Sequence, residues 1–316
     1  MRVIFIASGD FAIPTLHALV DSGHEICFVV TQPDRPAGRG KQPAPTPVRS
    51  AANALGLPVH AVEDINDAAM IERARRGGAR VGVVVAFGQK IKPDFRAALP
   101  GGCINLHASL LPKYRGAAPY QWAIIQGEPT TGVTVFRLVD RMDAGPVLTT
   151  AETEIGETET AAELHDRLAI IGPDAVLRAL DMYADDDIPA GTPQDDAQAT
   201  RAPKFQKHDG WIAFDRPAHA IARRINGLWS WPGAVCRFES ADGRRKERVT
   251  LARAVARDAP VAGPPGTLND ARHVVTADGA VEIIEIKPEG GKRMEWRAFV
   301  NGRHVAPGDR FTSVSE

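Results

Sequence analysis

VGVVVAF, residues 81–87, is an unbroken apolar run rich in β-branched valine, bounded by Gly77-Gly78 on one side and Gly88 on the other. A strand without polar alternation is covered on both faces, as happens when helices pack on each side of a parallel sheet. RVIFIA at 2–7 and EICFVVT at 25–31 repeat the pattern. Between them, FAIPTLHALVDS at 11–22 carries helical apolar spacing that Gly23 ends. A helix follows at 48–55 (VRSAANAL), and further strands are predicted at 103–106 and 132–138 (GVTVFRL). Thr160 and Glu163 stand in capping-box spacing at the start of a helix within 157–183. Strands alternating with helices predict an α/β fold: a doubly wound, mostly parallel, Rossmann-like sheet.

Residues 184–203, ADDDIPAGTPQDDAQATRAP, are rich in Asp, Pro and Gly and poor in large apolar side chains, the composition of a linker. Beyond it, a helix at 217–228 precedes β-like segments near 234–238, 248–255, 266–275 and 280–287. Short strands bounded by turn residues predict a smaller, OB-like C-terminal β-barrel. The expected division is a domain over 1–189, a linker over 190–207 and the barrel over 208–316. Trp229 and Trp231, in LWSWPGAV, are expected to anchor the helix to the barrel core.

The 316 residues, 44% apolar and 24% charged, suffice for two ordinary folded domains and exclude a disordered or fibrous chain. Three separated cysteines, Cys27, Cys103 and Cys236, support neither a disulfide framework nor a thiolate zinc site. No metal is expected. No apolar run approaches a membrane span, and MRVIFIAS reads as a strand rather than a leader, so a cytoplasmic protein is expected. The net charge of −1 hides a division: residues 1–203 hold 19 Lys and Arg against 25 Asp and Glu, and residues 204–316 hold 19 against 14. The last third is therefore modestly basic. Walker, GxSxG, HExxH and GxGxxG motifs are absent, which removes motif support for phosphoryl transfer, serine hydrolysis and zincin chemistry.

The densest set of polar residues among apolar ones is GCINLHASLLPKYRGAAPYQW, 102–122. It begins at the end of a predicted strand, where open α/β sheets bind ligands. Asn105 and His107 lie two apart and share one face of that strand. An amide can donate to a developing oxyanion, and an imidazole can move a proton near neutral pH. Spacing alone leaves a strand end capped by polar side chains equally open. Downstream, FRLVDRMDAGPVL offers Asp143 beside a small-residue turn, with Asp140 as its competitor for the imidazole. QPDRPAGRGK, 32–41, places Arg35, Arg39 and Lys41 among Pro and Gly, so it reads as a mobile basic loop rather than a regular strand. Arg223 and Arg224 form another basic pair, a solvated surface or a phosphate-facing one.

With these blocks assembled, the chain resembles the folate-dependent formyltransferases nearly from end to end. The shared stretches are VTQPDRPAGRGKQPAPTPVR (30–49), VVVAFG (83–88), GCINLHASLLPKYRGAAPYQWAI (102–124), TGVTVFRLVDRMDAGPVL (131–148), APKFQKHDGWIAFDRP (202–217), WSWPGAV (229–235) and KPEGGKRM (287–294). The long basic loop and the basic C-terminal part resemble the tRNA-acting branch. The resemblance implies 10-formyltetrahydrofolate as formyl donor and the α-amino group of initiator methionyl-tRNA as acceptor. It places the catalytic trio at Asn105, His107 and Asp143, and folate contacts at Phe87, Gly88, Ser109, Leu110, Leu111 and Pro112. It assigns Arg35, Arg39, Lys41, Arg223 and Arg224 to tRNA, in a monomer that uses no membrane. The chemistry implied is direct acyl transfer, with Asn105 and a protonated or proton-sharing His107 stabilising a tetrahedral oxyanion and Asp143 raising the His107 pKa and helping to relay the proton through water. A sugar-nucleotide N-formyltransferase, a formyl-folate hydrolase and a non-catalytic tRNA-binding protein are the alternatives.

Overall fold

The computed structural model describes residues 1–37, 42–183, 187–261 and 263–314. They form two compact units, one of Met1–Pro119, Gly132–Thr153 and His165–Arg201, the other of Tyr120–Thr131, Glu154–Leu164 and Ala202–Glu316.

The first unit is built on a seven-stranded sheet: β1 (Arg2–Ala7), β2 (Glu25–Thr31), β3 (Val59–Ala61), β4 (Val81–Val85), β5 (Cys103–His107), β6 (Thr130–Arg137) and β7 (Val147–Glu154). Their order is β7-β6-β5-β4-β1-β2-β3. The pairs β1–β2, β1–β4, β2–β3 and β4–β5 are parallel, and β5–β6 is antiparallel. The chain starts in the middle, winds outward through β2 and β3, then crosses back to place β4 beside β1. The topological switch point therefore lies between β1 and β4, where doubly wound sheets leave a crevice at the strand ends. Val3 through Ala7 and every residue of β4 are buried, as their unbroken apolar sequence requires.

The apolar run 81–87 leaves the strand earlier than its composition suggests, at Val85. Ala86 adopts φ +46°, which ends β4 and turns the Phe87 ring into a core cluster with Ile65, Ile91 and Phe95. The Ala86 carbonyl accepts from Ser8 N and Gly9 N, each at 3.3 Å, tying the two loops of the switch point together. The capping box is present: Thr160 N donates to Glu163 Oε2 at 3.0 Å and Glu163 N to Thr160 Oγ1 at 3.4 Å.

The stretch read as irregular at 32–41 instead contains part of a short antiparallel pair, Arg35–Ala37 with Gln42–Ala44. Pro36 faces Pro43. Two residues that lack an N–H can oppose one another at a non-hydrogen-bonded position, so the ladder tolerates them there.

The second unit carries an antiparallel sheet of β8 (Ala234–Glu239), β9 (Lys246–Arg257), β10 (Val274–Val275), β11 (Ala280–Pro288), β12 (Met294–Glu295) and β13 (Arg310–Ser313). The order is β10-β11-β9-β8-β13, with β12 added to β11. Isolated bridges Thr267↔Arg310 and Leu268↔Val274 connect the two ends, so the sheet nearly closes as a barrel. The strand expected over 266–275 is limited to Val274–Val275. Gly266 at φ +91° and a turn in which Arg272 N donates to Asn269 O at 2.8 Å break the extended run. Helix Ala218–Leu228 packs on β9, whose register shifts around Arg253. The buried Asn226 repairs that irregularity: its amide donates to Ala254 O and accepts from Ala254 N, both at 2.9 Å. Trp231 corrects the anchoring expectation, because the residue is 58% exposed and, among the described residues, is held through its carbonyl, which accepts from Gln121 Nε2 at 2.7 Å. Trp229 is half-buried, with the Arg293 guanidinium 5.7 Å from its ring centre.

Candidate active site

Strand β5 runs beside β4 and β6, and it delivers two polar side chains to one face at its carboxyl end. Asn105 sits between Val84 of β4 and Phe136 of β6, and His107 lies opposite Thr134. Ile104 and Leu106 take the other face and are buried. Among the described residues, nothing in the protein hydrogen-bonds the Asn105 amide, which leaves its N–H groups available to a ligand oxygen.

The imidazole of His107 is only 6% exposed and packs edge-on against Phe136, with ring centres 6.4 Å apart. Nε2 lies 2.9 Å from the carbonyl of Tyr114. A carbonyl only accepts, so Nε2 carries the proton and Nδ1 is the free nitrogen. Nδ1 faces Asp143 Oδ2 at 3.9 Å. The same Oδ2 accepts from Gly116 N at 2.8 Å. Residues 114–116 thus hold the imidazole through one backbone group and the carboxylate through another.

Asp143 adopts φ +50°, a left-handed conformation uncommon outside glycine but tolerated by Asp. It precedes Ala144 and Gly145, where a Cβ on Gly145 would stand 1.7 Å from the Arg137 carbonyl oxygen. Only glycine permits that close approach. Asp140, the competing candidate, is 71% exposed and pairs with Arg96. The structure therefore brings Asp143, not Asp140, to the imidazole.

The charge balance of His107 differs from the expected one. Burial pushes its pKa below the ordinary 6.5, while Asp143 and the Tyr114 carbonyl pull it upward. Burial wins, so the ring is neutral at pH 7, with a lone pair on Nδ1 and a carboxylate ready to stabilise a proton that arrives there.

The SLLP turn extends directly from β5. Ser109 is fully buried and donates to Lys113 O at 2.7 Å, and the Leu111–Pro112 peptide is cis. Thr134 on β6 staples the turn: its hydroxyl donates to Ser109 O at 2.7 Å and accepts from Leu111 N at 3.0 Å. Leu110, Leu111 and Pro112 remain half-buried and offer apolar contact. Phe87 is 3% exposed and belongs to the core, and its carbonyl accepts from Gln32 Nε2 at 2.5 Å. Gly88, at φ +82°, has Gln32 Nε2 2.7 Å from where a Cβ would be.

Of the basic candidates, Arg35 is exposed at the start of the short hairpin. Arg39 and Lys41 lie outside the described residues. Arg223 is exposed and lies against Gly127, where a Cβ would meet its guanidinium. Arg224 is half-buried: its guanidinium donates to the Asp209 carbonyl, and burial lowers its pKa.

Thr134, Tyr114, Arg115 and Gln194 were not visible as site residues in the sequence. Thr134 sits in a strand pattern that any core threonine would share. Gln194 lies in linker-like composition, where nothing in the residue types signals a role. Among the described residues, no group of three His, Cys, Asp or Glu side chains is arranged to hold a metal, and no helix is long and apolar enough to cross a membrane.

A doubly wound sheet with an amide and an imidazole at one strand end and a carboxylate in the loop after the next strand, followed by a second barrel-like unit, is the arrangement of a chain that the comparisons place among the formyl-transferring enzymes. The formyl transferase family model matches residues 1–180, and the model of the formyl transferase C-terminal domain matches 204–304. The chain is 42% identical to a methionyl-tRNA formyltransferase of Solibacter usitatus, over 98% of each chain. It is 38% identical to one of Heliobacterium modesticaldum, covering 98% of this chain and 100% of that protein. In fold it is similar to HypX of Aquifex aeolicus, solved in complex with tetrahydrofolic acid, with a TM-score of 0.62 at 18% identity over 95% of this chain and 47% of that one. The chain belongs to the methionyl-tRNA formyltransferase family.

Proposed function

We propose that this enzyme moves the formyl group of 10-formyltetrahydrofolate to the α-amino group of methionyl initiator tRNA, in the cytoplasm and as a monomer. The observation that carries the reading is the placement of Asn105, whose amide has no partner among the described residues, on one face of β5 with His107, whose Nδ1 faces Asp143 Oδ2 at 3.9 Å. The near-complete coverage of tRNA-acting relatives supports the acceptor. Residues 1–189 hold the chemistry, 208–316 hold tRNA, and 190–207 join them.

Each residue has a physical task. The attacking amine must be neutral, and its attack on the formyl carbon turns the carbonyl oxygen into an oxyanion. The Asn105 amide donates to that oxygen, which is where charge develops in acyl transfer. The amine then carries an excess proton, which the neutral Nδ1 of His107 accepts. The resulting imidazolium is compensated by Asp143 and oriented by the Tyr114 carbonyl. The same proton then goes to the departing folate nitrogen as the carbon–nitrogen bond breaks, so the ring returns to its starting state and no covalent enzyme intermediate forms. The SLLP turn, with Phe87 and Gly88 through their backbone, lines the folate side. Arg35 and Arg223 face tRNA phosphates, Arg39 and Lys41 are assigned to the same partner by the resemblance, and Arg224 supports the helix that carries Arg223.

The test is transfer of labelled formyl from 10-formyltetrahydrofolate, offered methionylated initiator tRNA, uncharged tRNA or an amino-sugar nucleotide in parallel. Formylation of the aminoacylated tRNA alone is the expected result. Preferential use of the sugar nucleotide, or formate release without an acceptor, would refute the reading.

A further inference from the structure

The segment 192–200 has the composition of a linker, yet its side chains bond the backbone and side chains behind the candidate catalytic pair. Gln194 Nε2 donates to the carbonyls of Asp143 at 2.8 Å and Gly145 at 2.7 Å. Gln194 Oε1 accepts from Arg115 Nε at 3.0 Å and Arg115 Nη2 at 2.6 Å. Both donors and both acceptor positions of one amide are thus used. The assignment of oxygen and nitrogen is forced, since carbonyls only accept and a guanidinium only donates.

The contacts continue on each side. Arg115 Nη2 also reaches Asp196 at 2.9 Å, and Arg141, two residues before Asp143, pairs with the same carboxylate. Thr200 accepts from Tyr114 N through its hydroxyl at 2.8 Å and from Arg115 N through its carbonyl at 2.9 Å. The strap therefore grips the two segments that set the pair: 114–116, which holds His107 Nε2 and Asp143 Oδ2, and 143–145, which carries the carboxylate. Asp143 also sits in a left-handed conformation, and such a residue persists only where its surroundings over-determine it.

We propose that Gln194, tied down by Arg115, is a positioning residue for formyl transfer: it sets the Asp143 carboxylate against the His107 imidazole from behind. It touches neither substrate. The inference rests on the catalytic reading of Asp143 and His107 above. Its consequence is that loss of the Gln194 donors releases the 143–145 turn, Asp143 drifts from Nδ1, and a displacement of about 1 Å lowers turnover by about 10²-fold.

The experiment compares Gln194→Ala, the near-isosteric Gln194→Met, Asp143→Ala and the Asp143→Ala/Gln194→Met double variant in the formyl transfer assay. The wild-type and Gln194 single variants are also assayed across pH. Both Gln194 variants are expected to lose kcat by about 10- to 100-fold, with KM for either substrate within about twofold, since nothing touching substrate is altered. Because Asp143 pulls the His107 pKa upward, its displacement should move the acid limb of the kcat profile to lower pH. A generally loosened fold would lower the amplitude without moving the limb. The double variant should be no slower than Asp143→Ala alone, because the two act through one geometry. Should Gln194→Ala fail to fold, Gln194→Met, which keeps the side-chain volume, carries the test. An inactive Asp143→Ala beside Gln194 variants with kcat within twofold of wild type, an unmoved acid limb, or losses that multiply in the double variant would overturn this inference alone. A fully active Asp143→Ala would overturn the catalytic reading itself.

Discussion

His107 Nδ1 stands 3.9 Å from Asp143 Oδ2 while its Nε2 is held by the Tyr114 carbonyl, so the ring has one nitrogen fixed and one facing a carboxylate. The separation is longer than a hydrogen bond. In the neutral ring both facing atoms are acceptors, and they have no proton to share. Once Nδ1 is protonated, attraction replaces that mismatch, and the pair is poised to receive a proton rather than to store one.

Asp143→Asn keeps the shape and removes the charge. Turnover should fall by about 10²- to 10⁴-fold, the range of general acid–base contributions. Without the carboxylate that raises it, the His107 pKa should drop further, and the acid limb of kcat should move to lower pH. Asn105→Ala should instead cost about 10²- to 10³-fold through loss of an oxyanion donor and leave that limb in place. Steady-state kinetics across pH separate the two.

Burial of His107 has a consequence for stability as well. The unfolded ring titrates near 6.5 and the folded one lower. Between those values the unfolded chain binds more protons, so the stabilisation is complete above about pH 6.5 and is lost as pH falls toward the folded pKa. Chemical denaturation at pH 7.5 and 5.5 should show a drop in wild type that is smaller in His107→Gln. An equal drop in both would remove His107 as its source.

Thr134→Val leaves the volume of the side chain unchanged while deleting both bonds to the SLLP turn. A buried carbonyl and amide lose their partner, at a cost of about 1–3 kcal/mol. The expected outcome is a lower melting temperature together with a raised KM for the folate donor, and Thr134→Ser should restore both. A raised KM for tRNA alone would contradict the placement of the turn on the folate side.

Arg223 and Arg224 are adjacent but should behave differently. Arg223→Ala should weaken tRNA binding and reduce the slope of log K against log salt by about 1, as expected for one lost phosphate contact. Arg224→Ala should chiefly lower thermal stability, because the Asp209 carbonyl loses its half-buried donor. Binding titrations at three salt concentrations with parallel melts distinguish them, and identical behaviour would defeat the distinction.

Much of the fold was legible because its cause is local. Valine-rich runs such as 81–85 announce strands covered on both faces, the two-residue spacing of Asn105 and His107 places them on one side, and Thr160 with Glu163 marks a helix start. Where the reading fell short, a non-local approach had intervened. Phe87 continues the apolar run by composition but belongs to the core beyond the strand, because Ala86 turns the backbone. Trp231 looks like an anchor by type and stands in solvent, since burial depends on what lies above a residue.

The order of residue types along the chain was enough to establish alternating strands and helices, a polar cluster at one strand end and a more basic final third, for these follow from periodicity, side-chain chemistry and counting. Which aspartate meets the imidazole, which nitrogen of that ring is free, and that a glutamine in apparent linker sequence braces the turn depended on folding. Asp143 is 36 residues from His107 and Gln194 a further 51 from Asp143. Hydrogen bonds act over about 3 Å, so over such separations only the completed chain path decides which donors and acceptors come within reach.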